Sequence, residues 1–381
     1  MAIGKTFKES FQKAIRGLEN GRAGLGFAKD FNKKSAEELC EMLKTASSER
    51  YFQLYEAIRK GVSLEKLNSI THVKEYFLQQ MKELVDLEEE MLKTIGSVPA
   101  DELLIQAKKD GFSDKYLSKI LKVSEKAIRD RRNALGIKEA WLAVPVSGVD
   151  NANYYYSTYN AKDTSKASDN KKKIMILGGG PNRIGQGIEF DYCCCHAAMQ
   201  LKEMGYETII VNCNPETVST DYDTSDKLYF EPVTTEDVLQ IYEKEKPMGV
   251  IVQFGGQTPL NIARELEENG VNVLGTSIDS IDAAEDRDIF RHMMEKLEIP
   301  MPESGMAINF EEAKACADKI GYPIMMRPSF VLGARGMEVI YDENTLREYV
   351  DKAVGVTPDR PLLIDRFLKN ALECESDALA D

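Results

Sequence analysis

Apolar residues along the first 140 positions recur at the three- and four-residue spacing of helices, with polar capping signals between the runs. Thr6 and Glu9 have the spacing of a capping box, and so do Ser35 and Glu38. No alternation of apolar and polar residues typical of half-buried strands interrupts this pattern. The pattern therefore predicts an all-α domain over residues 1–150.

The pattern changes between residues 143 and 173, where a Val-Pro-Val-Ser-Gly stretch breaks any helix. Asp163 to Lys173 is polar and rich in lysine, which is typical of a linker, so we predict a linker over residues 151–171. The tyrosines at 154–156 are too apolar for a free linker, and we expect them to lie against a neighbouring domain.

From Lys173 onward, short apolar runs alternate with amphipathic stretches. Short buried strands separated by helices are typical of a parallel, doubly wound, Rossmann-like sheet, and we predict such an α/β domain over residues 172–285. Ligands of such sheets bind beyond the carboxyl ends of the strands. The predicted strands are Ile174–Leu177, Thr208–Asn212, Val250–Phe254 and Val271–Leu274.

A different pattern begins near Asp286 and continues to Asp381. Two strands flanking a glycine-containing loop, one helix and one further strand make an incomplete α+β domain over residues 286–381. The predicted elements are strands Tyr322–Pro328, Met337–Tyr341 and Pro361–Phe367, and helix Glu343–Ala353.

Charge is distributed unevenly along the chain, whose formal net charge is -14. Residues 1–170 carry 28 Lys and Arg against 25 Asp and Glu, and residues 171–381 carry 21 against 38. An anionic ligand of the acidic part must therefore be held by local arginines and backbone N–H groups. No apolar run reaches membrane-spanning length, the N-terminal residues do not resemble a signal peptide, and seven cysteines suggest a reducing cytoplasm.

Three local motifs invite a functional interpretation, and each also has a structural one. The glycine-rich turn at 178–187 follows a strand and opens a helix, so it suits either an anion or a tight turn that needs glycine. The run Cys193 to His196 is not a metal site, because consecutive helical positions point about 100° apart. Arg327 to Met337 is either a phosphate-binding loop or a plain β-hairpin.

The strongest rival signal is a helix-turn-helix pattern, with helices over residues 113–121 and 124–135. Lys126, Arg129, Arg131 and Arg132 lie on the second helix, where they are available to DNA phosphates. The weak basic excess of this domain disfavours DNA binding, so a DNA-binding regulator with a ligand-sensing α/β domain is kept only as an alternative.

Three stretches of the chain together resemble the large subunit of carbamoyl phosphate synthetases. They are ILGGGPNRIGQGIEFDYCC at 176–194, VNCNPETVSTDYD at 211–223 and QFGGQTP at 253–259. The helical part is similar to the oligomerization domain of this family through residues 1–19 and 111–137. The resemblance covers essentially the whole chain.

The resemblance implies three family domains in this order: helical oligomerization, pre-ATP-grasp and a truncated ATP-grasp domain. It implies a ligase that makes carbamoyl phosphate from bicarbonate, ammonia and two ATP for arginine and pyrimidine biosynthesis. This region would belong to the half that phosphorylates carbamate. The family's metal-binding residues lie downstream of Asp381, so we expect the 381-residue chain alone to be inactive. Another ATP-grasp carboxylate–amine ligase is an alternative.

Carried over from the family, Arg287 and Arg327 would neutralise phosphate charge, and Gly333 would belong to the loop over the phosphates. Arg366 and Leu368 would line the adenine pocket, and Glu373 would bind the ribose hydroxyls. The family usually has glycine where this chain has Ala334, which leaves the geometry of that loop open.

The implied cofactors are ATP with Mg²⁺ or Mn²⁺, whose ligands are expected downstream; no metal ligand is assigned here. The implied partners are a glutaminase small subunit, which releases ammonia from glutamine, and further copies of the chain through the helical domain. Neither a nucleic acid nor a membrane is expected as a partner.

Overall fold

The computed structural model describes residues 1–150, 152–182, 188–285, 287–328, 337–352, 361–372 and 374. They form two compact units, Met1–Ile278 and Asp279–Asp381. Each unit is described by itself below. None of the helices described is both long and apolar enough to cross a membrane.

The first unit begins with eight helices around one apolar core, as the helical spacing predicts. Both predicted capping boxes are confirmed: the hydroxyls of Thr6 and Ser35 accept from the N–H groups of Glu9 and Glu38. Leu39, Leu54, Leu78, Leu117 and Ile128 are among the fully buried core residues. The helices are α1 (Phe7–Arg16), α2 (Ala36–Leu43), α3 (Arg50–Arg59), α4 (Leu64–Thr71), α5 (Glu75–Leu92), α6 (Asp101–Lys109), α7 (Asp114–Leu121) and α8 (Glu125–Ala134).

A seven-stranded sheet completes the first unit, and six of its strands, all except β1, are parallel to one another, in line with the predicted parallel sheet. The strand order is β1-β2-β5-β4-β3-β6-β7. Helices α9 (Asp191–Glu203), α10 (Thr235–Glu245) and α11 (Gln257–Glu268) connect the parallel strands. The strands are β1 (Ala140–Ala143), β2 (Tyr154–Thr158), β3 (Lys173–Leu177), β4 (Glu207–Asn212), β5 (Lys227–Phe230), β6 (Gly249–Ile251) and β7 (Val273–Leu274).

Three of these strands, β1, β2 and β5, lie where the sequence predicts none. β1 falls within the range expected to be wholly helical, and β2 falls within the expected linker. β1 pairs antiparallel with β2, and β2 pairs parallel with β5, so both extend the sheet. The prediction that the tyrosine cluster packs on a neighbouring domain is confirmed, because Tyr155 contacts Tyr229 of β5 at a ring distance of 5.5 Å.

The order of the parallel strands creates a switch point between β3 and β6. The connection from β3 runs to β4 on one side, and the connection from β6, which the chain reaches from β5 through α10, runs to β7 on the other side. Neighbouring connections that run in opposite directions open a crevice at the carboxyl ends of the two central strands. In this chain, the crevice lies where the glycine-rich turn follows β3 and residues 253–256 follow β6.

The second unit is a four-stranded antiparallel sheet with helices. The strand order is β10-β9-β11-β8, and α14 and α15 contribute the buried Ala313, Ala317, Leu346 and Tyr349 to its core. The pairing of the two predicted strands is confirmed, since Met326 pairs with Glu338, and the loop between them lies outside the described residues. The elements are α12 (Ile278–Glu285), which spans the boundary between the units, α13 (Arg287–Lys296), β8 (Ser304–Ala307), α14 (Phe310–Ile320), β9 (Ile324–Pro328), β10 (Glu338–Ile340), α15 (Glu343–Lys352) and β11 (Leu362–Arg366).

Candidate functional site

Three loops of the first unit meet at the carboxyl edge of the parallel sheet. They follow β3, β4 and β6, and they carry the three sequence stretches on which the family resemblance rests. The amide oxygen of Asn212 accepts from the N–H of Gly180 at 2.9 Å, and its amide nitrogen donates to the Ser219 hydroxyl at 3.0 Å. One buried side chain thereby connects the first two loops.

Glycine is required in the turn after β3 because neighbouring groups leave no room for a side chain. A Cβ on Gly178 would lie 2.5 Å from the side chain of Asn212. Gly180 has a φ of +71°, and a Cβ there would lie 2.5 Å from a carboxylate oxygen of Glu19. The structural interpretation of these glycines is therefore correct. The second half of the turn, residues 183–187, lies outside the described residues.

The loop after β4 is closed by its own polar side chains. The carbonyl of Asn214 accepts from the Thr220 hydroxyl at 2.6 Å, and the carboxylate of Asp191 accepts from the N–H of Ser219 at 3.0 Å. The amide nitrogen of Asn214 is buried and has no hydrogen-bond partner among the described residues. These contacts fix the loop against the start of α9 and leave one buried donor at the sheet edge.

Buried ion pairs join the helical segment to the sheet. The Lys13 ammonium lies 2.8 Å from the Glu231 carboxylate, and that of Lys108 lies 2.5 Å from Glu236 and 2.9 Å from Asp114. All five side chains are nearly or completely buried. Burial opposes ionisation of Glu236, but the nearby charge of Lys108, followed by those of Arg132 and Arg16, lowers its pKa to about 2.

We refer to this buried group of charges as the interface cluster: Glu9, Lys13, Arg16, Lys108, Asp114, Arg132, Glu139, Glu231, Glu236 and Asp237. A small cavity of about 10 Å³ at its centre is lined by Arg16, Glu139 and Ser157 among others. Burial, followed by the charges of Asp237 and Glu231, raises the pKa of Glu139 well above its ordinary value. The cluster therefore favours the protonated form of Glu139.

The helix-turn-helix pattern forms helices α7 and α8, but three of the four basic residues on α8 have carboxylate partners within the protein. The guanidinium of Arg132 is buried and donates to Asp114 at 3.0 Å. Arg131 pairs with Asp101, and Lys126 pairs with Asp130 on the surface. These pairs disfavour the alternative of a DNA-binding regulator, because three of the four cations that would meet phosphates already have carboxylate partners.

The adjacent cysteines on α9 serve packing. The thiol of Cys194 is buried and donates to the carbonyl of Phe254 at 3.2 Å. Burial, followed by the charge of Asp191, raises the pKa of Cys195 to about 12, so that thiol stays protonated. Among the described residues, no three His, Cys, Asp or Glu side chains are grouped as metal ligands.

In the second unit, one face of the sheet packs against the helices of that unit, and the other face points away from them. Ile324 and Met326 of β9 are fully buried against the helices, so the alternate positions, Met325 and Arg327, lie on the other face. The Arg327 guanidinium lies 3.3 Å from the carboxylate of Asp365 on the neighbouring strand β11. Nε of Arg327 has no hydrogen-bond partner among the described residues.

Asp365 is a residue that the sequence analysis did not single out. It lies two positions beyond Leu363, the strand partner of Arg327, and therefore on the same face of the sheet. Its signal in the sequence is the single carboxylate at the end of an otherwise apolar strand, in the run Leu-Leu-Ile-Asp.

The other predicted site residues differ in how far the structure describes them. The Arg366 guanidinium donates to the carbonyl of Ile320 at 2.7 Å, so it caps the end of α14. Leu368 follows β11 with 55% of its surface exposed. Arg287 begins α13, but its side chain is outside the description, as are Gly333 and Glu373 entirely.

Three family models match the chain in succession. The carbamoyl-phosphate synthetase large-chain oligomerisation domain matches residues 1–136, and the carbamoyl phosphate synthase preATP-grasp domain matches residues 170–283. The carbamoyl-phosphate synthase L chain ATP binding domain matches residues 286–381.

Curated relatives are similar over the whole chain. The carbamoyl phosphate synthase large chain of Archaeoglobus fulgidus is 51% identical over 389 residues, and that of Pseudomonas aeruginosa is 50% identical over 386. In both cases the alignment covers 100% of this chain and 36% of the relative. The chain therefore spans about a third of the length of the relatives it matches.

Among solved structures, the biotin carboxylase domain of Hydrogenobacter thermophilus 2-oxoglutarate carboxylase is similar with a TM-score of 0.40 and 21% identity. The match covers 52% of this chain and 45% of that one. Structural similarity at this level does not support a family assignment, which rests on sequence similarity instead. Three matching domain models in the family order, with about half of all positions identical to named relatives, show that the chain belongs to the carbamoyl phosphate synthase large-chain family.

Proposed function

We propose that this chain is part of an ATP-dependent ligase that makes carbamoyl phosphate from bicarbonate, ammonia and two ATP. The observation that carries the proposal is the succession of three domains of this family along the whole chain. The chain contributes to the half that phosphorylates carbamate, and its product serves arginine and pyrimidine biosynthesis in the cytoplasm.

Arg327 is the residue of the described chain best suited to act on the nucleotide. Phosphoryl transfer depends on charge neutralisation and positioning more than on a nucleophilic side chain. Arg327 lies on the open face of the second sheet, with 38% of its side chain exposed, and is held there by Asp365 at 3.3 Å. It binds an α- or β-phosphate oxygen of ATP in this proposal.

The remaining nucleotide contacts are assigned with Arg327. Arg287 neutralises phosphate charge, Gly333 approaches the phosphates, Leu368 lines the adenine pocket and Glu373 binds the ribose hydroxyls. Arg366 joins the adenine pocket through its backbone and aliphatic carbons, because its guanidinium is engaged with Ile320. Mg²⁺ or Mn²⁺ would offset the charge of the phosphates, and its ligands are expected in the part of the family's sequence that follows residue 381.

Two partners follow from the same proposal. A glutaminase small subunit supplies ammonia, and the helical segment joins copies of the large chain. The match of residues 1–136 to an oligomerisation domain supports the second assignment.

The test is the reverse partial reaction, ATP formed from MgADP and carbamoyl phosphate, in the full-length large chain that contains this sequence. We expect Arg327→Ala to lower the rate of ATP formation by about 10²–10³-fold, the effect of removing one preorganised charge from a transition state. Arg347→Ala is the matched control, because that exposed arginine lies over the ring of Phe310 on the helical side of the sheet. Equal activity of the two variants would contradict the role of Arg327.

A further inference from the structure

The helical segment reaches the carboxyl edge of the parallel sheet through the residues that follow its first helix. α1 is capped by Gly17, where an added Cβ would lie 3.8 Å from the sulfur of Cys213 in the loop after β4. Two residues later, Glu19 has a φ of +47°, a left-handed conformation that is uncommon outside glycine. This backbone turn carries the side chain of Glu19 toward the sheet.

The Glu19 carboxylate makes a direct contact with the first turn of α11. The hydroxyl of Thr258 lies 2.7 Å from Oε2 of Glu19 and 2.9 Å from the carbonyl oxygen of Gly179. A hydroxyl carries a single proton, so Thr258 donates to one of these oxygens at a time. Residues 239 positions apart in the sequence therefore share one polar contact at the edge of the sheet.

This contact lies at the switch point of the sheet. Gly179 follows β3, and Thr258 follows β6 on the other side of the crevice. The other oxygen of Glu19 occupies the space that a side chain on Gly180 would fill. The carboxylate is therefore packed against the two loops that border the crevice in which doubly wound sheets bind their ligands.

We propose that Glu19 is a positioning residue for the carbamate-phosphorylating half: it packs against Gly180 of the turn Gly178–Gly180 and accepts from Thr258 at the start of α11, and so holds these two segments together. The helical segment then has a second role beside assembly, because its first helix supports the loops at the switch point. The proposal rests on the function proposed above, since it assigns the crevice to that half of the enzyme. A loop displaced by about 1 Å can lower a catalytic rate about 10²-fold.

The experiment measures the reverse partial reaction in the full-length large chain with Glu19→Ala, Thr258→Val and the double variant. We expect each single variant to lower kcat by about 10–100-fold, with KM for MgADP within about twofold of the wild-type value. The loss in kcat of the double variant is expected to match that of the more impaired single variant, because both changes remove the same contact. Glu41→Ala is the control, since that carboxylate is exposed and pairs only with the neighbouring Lys44 among the described contacts.

Three results would overturn the proposal: a wild-type kcat in Glu19→Ala, multiplicative losses in the double variant, or a raised KM with unchanged kcat. Bicarbonate-dependent ATP hydrolysis by the other half of the full-length chain reports on general damage. If Glu19→Ala loses both activities, the result for Thr258→Val is used instead, because that change removes only a hydroxyl. A wild-type kcat in Thr258→Val would then overturn the proposal. A wild-type chain that forms no ATP would instead overturn the proposed function.

Discussion

At the scale of single residues, functional groups that act locally are easier to predict from the sequence than groups that act through partners distant in the chain. Arg327 is predicted because an arginine at a strand end is recognisable in the sequence. Asp365, which holds it, is found only once the register of β9 and β11 is known. Glu19 is even less predictable, because its contact with Thr258 depends on how the helices and the sheet meet.

Glu139 gives a prediction about pH. Its carboxylate is almost completely buried, and Oε2 has no hydrogen-bond partner among the described residues. The carboxylates of Glu231, Glu236 and Asp237 and the cations of Lys13, Arg16 and Arg132 surround it, and its pKa is raised well above the ordinary value. Folding therefore requires uptake of a proton once the pH exceeds the pKa of the unfolded chain.

The sign follows from linkage. Because the folded-state pKa is raised, the contribution of Glu139 to stability is largest below a pH of about 4.5 and is lost as the pH rises toward the folded-state value. We expect Glu139→Gln to raise the free energy of unfolding by about 1–3 kcal/mol at pH 8, and by clearly less at pH 5. Urea unfolding at both pH values measures this, and an equal effect at the two values would contradict the account.

At the scale of elements, strand prediction succeeded for buried apolar runs, but it missed β1 and β2 near the edge of the sheet and β5 in its interior. β3 and β4 are such runs, and both were predicted close to their observed bounds. β1 and β2 were missed because they are short, at four and five residues, and lie on either side of a Pro- and Gly-containing stretch. Pairing with β5 orders β2, and this contact is not encoded in local periodicity.

The interface cluster between the helices and the sheet gives a second prediction. Lys108 is 1% exposed and neutralises both Glu236 and Asp114. Removing one partner of a buried ion pair leaves an uncompensated charge, which destabilises a protein by about 3–5 kcal/mol. We expect Lys108→Met to lower the free energy of unfolding by this amount in urea at pH 7.

Lys126→Met is the control for that variant. Lys126 pairs with Asp130 on the surface of α8, with 72% of its side chain exposed. Exposed pairs contribute about 0–1 kcal/mol, so this variant is expected to remain close to wild type. If Lys108→Met lowered the free energy of unfolding as little as Lys126→Met does, the interface cluster would not be a source of stability.

At the scale of the whole molecule, the helical segment and the parallel sheet form one compact unit although two separate family models match them. β1 and β2 connect them in the chain, and the interface cluster joins them in space. We therefore expect one cooperative transition for residues 1–278. Hydrogen exchange in increasing urea tests this: the amides of Leu117 in α7 and Ile210 in β4 should lose protection together, and separate transitions would contradict it.

Family membership and the three-part fold class were predictable from sequence motifs. That the helical segment and the parallel sheet form one compact unit was not. The motifs report the strands and turns that they occupy, but the ion pairs that join the parts link residues more than 100 positions apart. Long-range pairs of this kind have no periodic signal in one sequence.

The most direct test of the proposed function is ATP formation from MgADP and carbamoyl phosphate, measured in parallel on the 381-residue chain and on the full-length large chain. The account predicts ATP formation by the full-length chain and none by the 381-residue chain, which spans 36% of the length of its relatives. A folded full-length chain that forms no ATP would contradict the assignment to the carbamate-phosphorylating half. ATP formation by the 381-residue chain alone would contradict the conclusion that it is only part of the catalytic unit.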